Sequence, residues 1–150
     1  MFKGEAVDEQ DDLVVVSWRD VQISAGDGAV VQTERELGKW PFARDWYRKH
    51  IGYPEDQCQV VNVRGDSMEP TFRSGDPVLV YLAPGQLPVD GIWVVRLADL
   101  VTIKRVQFLP GRVARIISDN ARYDPYSIDL NVDQPDFNFV GKVIWSQVLH

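Results

Sequence analysis

The chain has 150 residues, of which 45% are hydrophobic and 25% are charged, and its formal net charge is -6. A chain of this length and balance can bury one core, so we expect a single globular domain. The acidic balance and the lack of a Lys/Arg run offer no continuous basic stripe to a phosphate backbone. On its own, this chain should bind DNA poorly.

The sequence gives no sign of a membrane or secretion signal. No segment reaches the roughly 18 uninterrupted apolar residues of a membrane helix, and the N-terminus lacks a signal-peptide apolar run. We therefore expect a cytoplasmic protein with no membrane partner. The single cysteine, Cys58, cannot form a disulfide within the chain, and the 2 histidines do not complete a zinc-ligand pattern. No metal and no other cofactor are predicted.

The chain begins with an acidic segment and continues as a series of short apolar runs. Residues 1–12 offer little to bury, which is typical of a flexible linker or tail, so we place the domain at residues 13–150. Runs rich in Val and Ile, separated by Gly, Pro, Asp or Asn, predict β-strands. The predicted strands cover residues 13–16, 59–63, 77–82, 92–97, 100–108, 112–117 and 137–145.

One segment, residues 41–50, has the pattern of a short helix. Phe42 and Trp46 are separated by one helical turn, Pro41 suits the first turn, and Gly52 follows the end. The expected fold is therefore mainly β with one short helix. The 5 tryptophans are interpreted as core or interface packing, because nothing in their spacing aligns them into one cluster.

Ser67 is the candidate nucleophile. It lies in a segment that leaves a predicted strand and turns sharply at Gly65 and Asp66. A serine on a tight turn has an exposed hydroxyl and free backbone N–H groups nearby, which are needed to attack a carbonyl and to hold the oxyanion. The alternative is an ordinary surface turn in which the serine makes local hydrogen bonds. A catalytic serine therefore requires a base elsewhere in the chain.

Lys104 is the candidate base. A histidine base is not expected, because His50 ends the predicted helix and His150 is the terminal residue. Neutral lysine is the known alternative, and burial lowers a lysine pKa by disfavouring the ammonium form. A fall from about 10.4 to about 7 corresponds to roughly 4 to 5 kcal/mol, which burial can supply. The other interpretation of Lys104 is a side chain that reaches solvent at the strand edge and pairs with an acid.

Strand alternation supports an inward position for this lysine. Side chains two residues apart share a face of a strand, and the face that carries Lys104 is mostly apolar. Its other members are Leu100, Thr102, Val106 and Phe108.

Taken together, these residues resemble the LexA-like serine peptidase family, whose members include LexA, phage repressor C-terminal domains and the UmuD mutagenesis protein. The resemblance is greatest to the phage-type repressor domains. It covers residues 58–145 and rests on the segments 65–70, 75–76, 102–105 and 118–120, with Tyr123 and Pro125. It implies a LexA/signal-peptidase-like β-fold of short, highly twisted strands. It also implies that Ser67 is the nucleophile, that Lys104 is the general base, and that the backbone amides of Asp66 and Ser67 form the oxyanion hole.

Family members cut their own chain between Ala and Gly or between Cys and Gly, upstream of the nucleophile. In this sequence, the resemblance points to the bond between Ala25 and Gly26. Small residues there would allow the dyad to approach the backbone closely. The alternative for this dipeptide is a flexible turn between two strands.

The resemblance implies the regulatory domain of a transcriptional repressor, which dimerises and ends repression by cleaving itself in the SOS response to DNA damage. The implied partners are a second copy of the chain and a RecA filament on single-stranded DNA. DNA itself would be reached only through an N-terminal helix-turn-helix domain absent from this chain. The segment 140–145 resembles the strand that contributes dimer contacts in repressors.

Three alternatives remain open. The first is a UmuD-like accessory protein of translesion DNA synthesis, which loses a short N-terminal arm on cleavage. The second is a signal-peptidase-like protease that acts on other proteins, although such an enzyme needs a membrane anchor to meet its substrate. The third is a dimerisation module whose dyad no longer turns over.

Overall fold

A computed structural model describes residues 12–20, 35–82 and 89–147. The expected Ala25–Gly26 bond and all of the expected tail except Asp12 lie outside these residues. Within the described ranges the chain forms nine strands and one α-helix, which confirms the mainly β fold. They are β1 (Leu13–Asp20), β2 (Arg35–Ala43), α1 (Arg44–His50), β3 (Cys58–Asn62), β4 (Pro77–Tyr81), β5 (Gly91–Leu97), β6 (Leu100–Leu109), β7 (Val113–Ile117), β8 (Tyr126–Asp129) and β9 (Phe137–Ser146), with a short 3₁₀ helix at Glu55–Gln57.

The strands join one sheet in the order β2-β1-β3-β4-β9-β5-β6-β7-β8. Neighbouring strands are antiparallel except β1 and β3, which run parallel. The register shifts within the β1–β2, β4–β9 and β5–β9 pairs, and such bulges bend strands and increase their twist. The last strand, β9, lies in the middle of the sheet and is hydrogen-bonded along both edges.

Three apolar clusters hold the sheet together. One lies at the β1–β4 end and includes the buried Val16 and Val60, and another lies at the β5–β8 end around Val95 and Val106. The third lies between them and includes Met68. Because β6 contributes Ile103 to the central cluster and Val106 to the β5–β8 cluster, both of its faces are covered.

The tryptophans pack into the core, but the expectation that they would not cluster is wrong for three of them. The ring of Trp40 lies 5.4 Å from that of Trp18 and 6.4 Å from that of Trp145. These residues belong to β2, β1 and β9, so only the folded sheet brings them together.

The helix begins at Arg44 and not at Pro41 as predicted, and Tyr47, not Trp46, is its buried aromatic residue. Pro41 and Phe42 belong to β2, where they pair with Val15 and Val14. β2 is an edge strand, in which proline is tolerated because its missing N–H can face away from the sheet. Within α1, Tyr47 is buried at 2% exposure, whereas Trp46 is 37% exposed. The predicted end is confirmed, since the Gly52 N–H donates to the Tyr47 carbonyl at 2.9 Å.

Two strands, β2 and β8, were not predicted, because neither contains a run of Val and Ile. The predicted inward face of β6 is also only partly correct. Val106 is buried and Lys104 is half-buried, but Leu100, at the start of the strand, is 58% exposed. In the described parts of the chain, the helical segments are too short to cross a membrane.

Candidate active site

Ser67 lies on a turn between β3 and β4 that the core anchors from one side. The next residue, Met68, is 1% exposed and belongs to the central apolar cluster. Gly65 has φ +79°, a conformation that L side chains rarely adopt, and its N–H donates to Ser74 Oγ at 3.2 Å. The turn is therefore fixed at both ends, and Ser67 itself is half-buried between them.

The backbone on this turn has donors available for a ligand. Among the described residues, neither the Asp66 N–H nor the Ser67 N–H donates to a protein acceptor. Free N–H groups beside a nucleophile can hold the negative oxygen of a tetrahedral intermediate. The assignment of these two amides to an oxyanion hole stays a prediction.

Lys104 lies on β6 opposite Trp93 of β5. Its amine donates a hydrogen bond to Ser118 Oγ at 2.7 Å and lies 5.6 Å from the ring centre of Tyr123. Burial lowers the pKa of Lys104, because desolvation disfavours the ammonium form. In the described part of the chain this amine has no carboxylate in ion-pair contact, whereas the alternative interpretation expected an acidic partner.

Ser67 and Lys104 are connected through the segment 118–120, which follows β7. Ser118 accepts the hydrogen bond from Lys104, and two residues later the Asn120 N–H donates to the Ser67 carbonyl at 3.0 Å. Among the described hydrogen bonds, none joins the Ser67 hydroxyl directly to the Lys104 amine. The direct pairing of the two side chains therefore stays a prediction.

The side chains of Asn120 and Tyr123 hold the Ser67 turn, residues 63–76 between β3 and β4, in place. Asn120 Nδ2 donates to the Asp66 carbonyl at 3.0 Å, and the Tyr123 hydroxyl donates to Asp66 Oδ1 at 2.5 Å. The hydrogen bond to Asp66 raises the pKa of Tyr123, because the phenol is needed as the donor. Since the Tyr123 ring also lies beside Lys104, one side chain contacts both Lys104 and Asp66, the residue before Ser67.

Asp119 ties the same segment to two further elements. It accepts two hydrogen bonds from the Arg105 guanidinium on β6, both at 2.8 Å, and one from Thr71 Oγ1 at 2.5 Å. The hydrogen bond from Arg105 holds the pKa of Asp119 below its usual value, and the same bond raises the pKa of Arg105. The Ser67 turn, β6 and the segment 118–120 therefore form one polar network.

A mostly apolar cleft of about 390 Å³ adjoins this network. Gly65, two residues before Ser67, lies at its wall together with Thr102 and Ile103 of β6. Asn62 and Arg64 add polar groups at the start of the Ser67 turn. The cleft therefore combines apolar walls with polar side chains at the end that lies beside Gly65.

The sequence pointed to the segment 118–120, but it did not reveal which contacts this segment makes. Ser118, Asp119 and Asn120 contributed to the resemblance, yet no function was assigned to them. Three polar residues directly after an apolar strand are the visible signal, because such residues at a strand end often bind neighbouring backbone.

Comparison with known proteins defines the class. The chain belongs to the family described as Peptidase S24-like, whose model matches residues 12–144. This membership and the phage repressors among its relatives confirm the resemblance that the motifs indicated.

The individual relatives are regulatory proteins of phages and bacteria. A 26 kDa repressor protein of Escherichia phage HK022 is 34% identical over 131 residues, which are 85% of this chain and 55% of the phage protein. Repressor protein CI of Enterobacteria phage phi80 is 30% identical over 142 residues, covering 93% and 58%. An uncharacterized HTH-type transcriptional regulator of Haemophilus influenzae is 27% identical over 141 residues, again covering 93% and 58%. The chain thus spans a little over half the length of these relatives.

Proposed function

We propose that this chain is the C-terminal regulatory domain of a LexA-like or phage-type transcriptional repressor, and that it cuts itself with Ser67 and Lys104. The family match and the repressor names of two relatives support this proposal. The observation that carries it is the half-buried amine of Lys104, with a lowered pKa and no acidic partner among the described residues, next to the segment that binds the Ser67 turn.

The reaction follows from the groups present. Neutral Lys104 takes the proton of the Ser67 hydroxyl while the oxygen attacks the carbonyl carbon of Ala25. The N–H groups of Asp66 and Ser67 hold the resulting oxyanion. The bond to Gly26 then breaks, and its nitrogen takes the proton from the Lys104 ammonium. Water activated by the same amine finally releases the acyl group from Ser67.

A contact at the end of β1 supports delivery of the expected bond to this site. Asp20, the last residue of β1, forms an ion pair with Arg64, which lines the cleft. Ala25 follows Asp20 by only five residues, and an extended chain of that length spans at most about 18 Å. Arg64 itself precedes Ser67 by only three residues, so the ion pair fixes the end of β1 near the segment that carries Ser67.

We further propose that residues 13–150 form the peptidase and dimerisation domain after a flexible segment 1–12. The remaining length of the relatives leaves room for a DNA-binding helix-turn-helix domain, and a RecA filament on single-stranded DNA is the proposed stimulus. Because both edges of β9 are already paired, a second copy would contact this strand through a face and not by extending the sheet. The regulator names of the relatives favour this proposal over the accessory-protein and signal-peptidase alternatives.

Alkaline incubation tests self-cleavage. At about pH 9 to 10 a larger share of Lys104 is neutral, so we expect mass spectrometry to detect a fragment that begins at Gly26. The Ser67→Ala variant should stay intact under the same conditions. A wild-type chain that remains whole over many hours would remove self-cleavage from the account, whereas a cut at another bond would remove only the assignment of Ala25 and Gly26.

A further inference from the structure

The partner of the Lys104 amine is a residue to which no function was assigned. Ser118 directly follows β7, and the last pairs of that strand with β6 are Arg105 with Ile117 and Val106 with Ile116. Continuing this antiparallel register brings Ser118 opposite Lys104. The distance of 2.7 Å between Ser118 Oγ and Lys104 Nζ therefore follows from the sheet register, so the contact does not depend on a mobile surface side chain.

The direction of this hydrogen bond matters for the chemistry. A neutral amine has two N–H groups and one lone pair, and a general base must keep the lone pair for the proton that it takes. The 2.7 Å contact between Lys104 Nζ and Ser118 Oγ fits an N–H donated to the hydroxyl, and this arrangement leaves the lone pair for the proton of the nucleophile. The Tyr123 ring, 5.6 Å away, limits the remaining directions in which the amine can turn.

We propose that Ser118 is a positioning residue, which accepts an N–H from Lys104 and thereby turns the lone pair of the amine towards the Ser67 hydroxyl. This inference rests on the proposed self-cleavage function and assigns a further residue to the same site.

The other polar groups around the lysine explain why an uncharged acceptor suits this position. A carboxylate here would stabilise the ammonium form and raise the pKa of Lys104, whereas a hydroxyl does so much less. The two acids of the network have other partners: Asp119 binds Arg105 and Thr71, and Asp66 accepts from the Tyr123 hydroxyl. The network thus leaves the lysine an oriented partner without a negative charge.

Three variants test the role of Ser118. In Ser118→Ala, we expect the plateau rate constant of self-cleavage at alkaline pH to fall about 10- to 100-fold, because the amine loses its orienting acceptor. Ser118→Thr keeps a hydroxyl and should recover most of that rate. Ser127→Ala, which removes an exposed serine hydroxyl from β8, is the matched control and should cleave like the wild type.

A second readout does not depend on cleavage. In a Ser67→Ala background, NMR titration of the Lys104 side chain should show a lower pKa when Ser118 is also replaced by Ala, because an acceptor favours the ammonium form. Ser118→Thr should restore the pKa. An unchanged plateau rate or an unchanged Lys104 pKa in the Ser118→Ala chain overturns the proposal. If the wild type does not cleave at all, the proposed function fails, and the titration alone decides on Ser118.

Discussion

Two half-buried lysines, Lys104 and Lys142, lie on opposite sides of the same strand. Lys104 on β6 and Lys142 on β9 are both in register with Trp93 of β5. Burial lowers the pKa of both amines, and desolvation is the cause in each case. By burial and pKa alone, either lysine could serve as a general base.

Their surroundings differ. The Lys142 amine donates to the adjacent Val143 carbonyl at 3.1 Å, and its side chain fills the space above Gly91. The Lys104 amine instead contacts Ser118 and Tyr123, which belong to the network around the Ser67 turn. Desolvation can therefore supply a neutral amine at either position, but among the described contacts it is the Lys104 amine that joins the network around the turn of Ser67.

Replacing each lysine by methionine gives the largest expected contrast. Lys104→Met should slow self-cleavage at least about 1000-fold, because it removes the base and leaves serine a poor nucleophile. Lys142→Met should cleave at close to the wild-type rate. Densitometry of intact and cleaved chain over a time course at alkaline pH measures both cleavage rates. Comparable rates for the two variants would contradict the assignment of Lys104, and not Lys142, as the base.

The pH dependence of the cleavage rate distinguishes the two lysines further. The active form of Lys104 is the neutral amine, so the rate should rise about tenfold per pH unit below its pKa and level off above it. Because burial lowers that pKa, the midpoint should fall below the ordinary value of about 10.4. Lys142→Met should leave the midpoint unchanged, and a rate that falls with rising pH would exclude a lysine base.

A substitution at Asn120 tests whether the polar network, in addition to burial, is needed for Lys104 to act as the base. Asn120→Ala removes the side-chain hydrogen bond to the Asp66 carbonyl, and we expect cleavage to slow about 10-fold because the turn loses one anchor. Asn131→Ala is a suitable control, since that amide binds the Gly111 carbonyl instead. Equal cleavage rates for wild type and Asn120→Ala would mean that the turn needs no support from this segment.

The smallest effect on cleavage is expected from a substitution at Gly91. A Cβ at Gly91 would lie 2.6 Å from the Lys142 amine, and the φ of +149° disfavours L side chains. Gly91→Ala should therefore lower the free energy of unfolding by about 1 to 2 kcal/mol in urea denaturation. The cleavage rate of the folded chain should not change, and a large loss would assign Lys142 a role in the chemistry.

The sequence was informative where the signal is local. Apolar runs predicted the strands on both sides of the Ser67 turn, and alternation along β6 predicted the desolvation of Lys104. The strand β2 was missed because the segment that forms it lacks a β-branched run. The role of Asn120 could not be predicted, because its contact with Asp66 joins residues 54 positions apart and exists only once the sheet has formed.

Covalent labelling of the nucleophile tests the central claim without depending on where the chain is cut. A fluorophosphonate reacts with an activated serine hydroxyl, and peptide mapping by mass spectrometry identifies the labelled residue. The account predicts an adduct on Ser67 in the wild type and in Lys142→Met at about pH 9, and almost none in Lys104→Met. Equal labelling of Ser67 in Lys104→Met, or no labelling of Ser67 in the wild type, would contradict the assignment of Lys104 as its base.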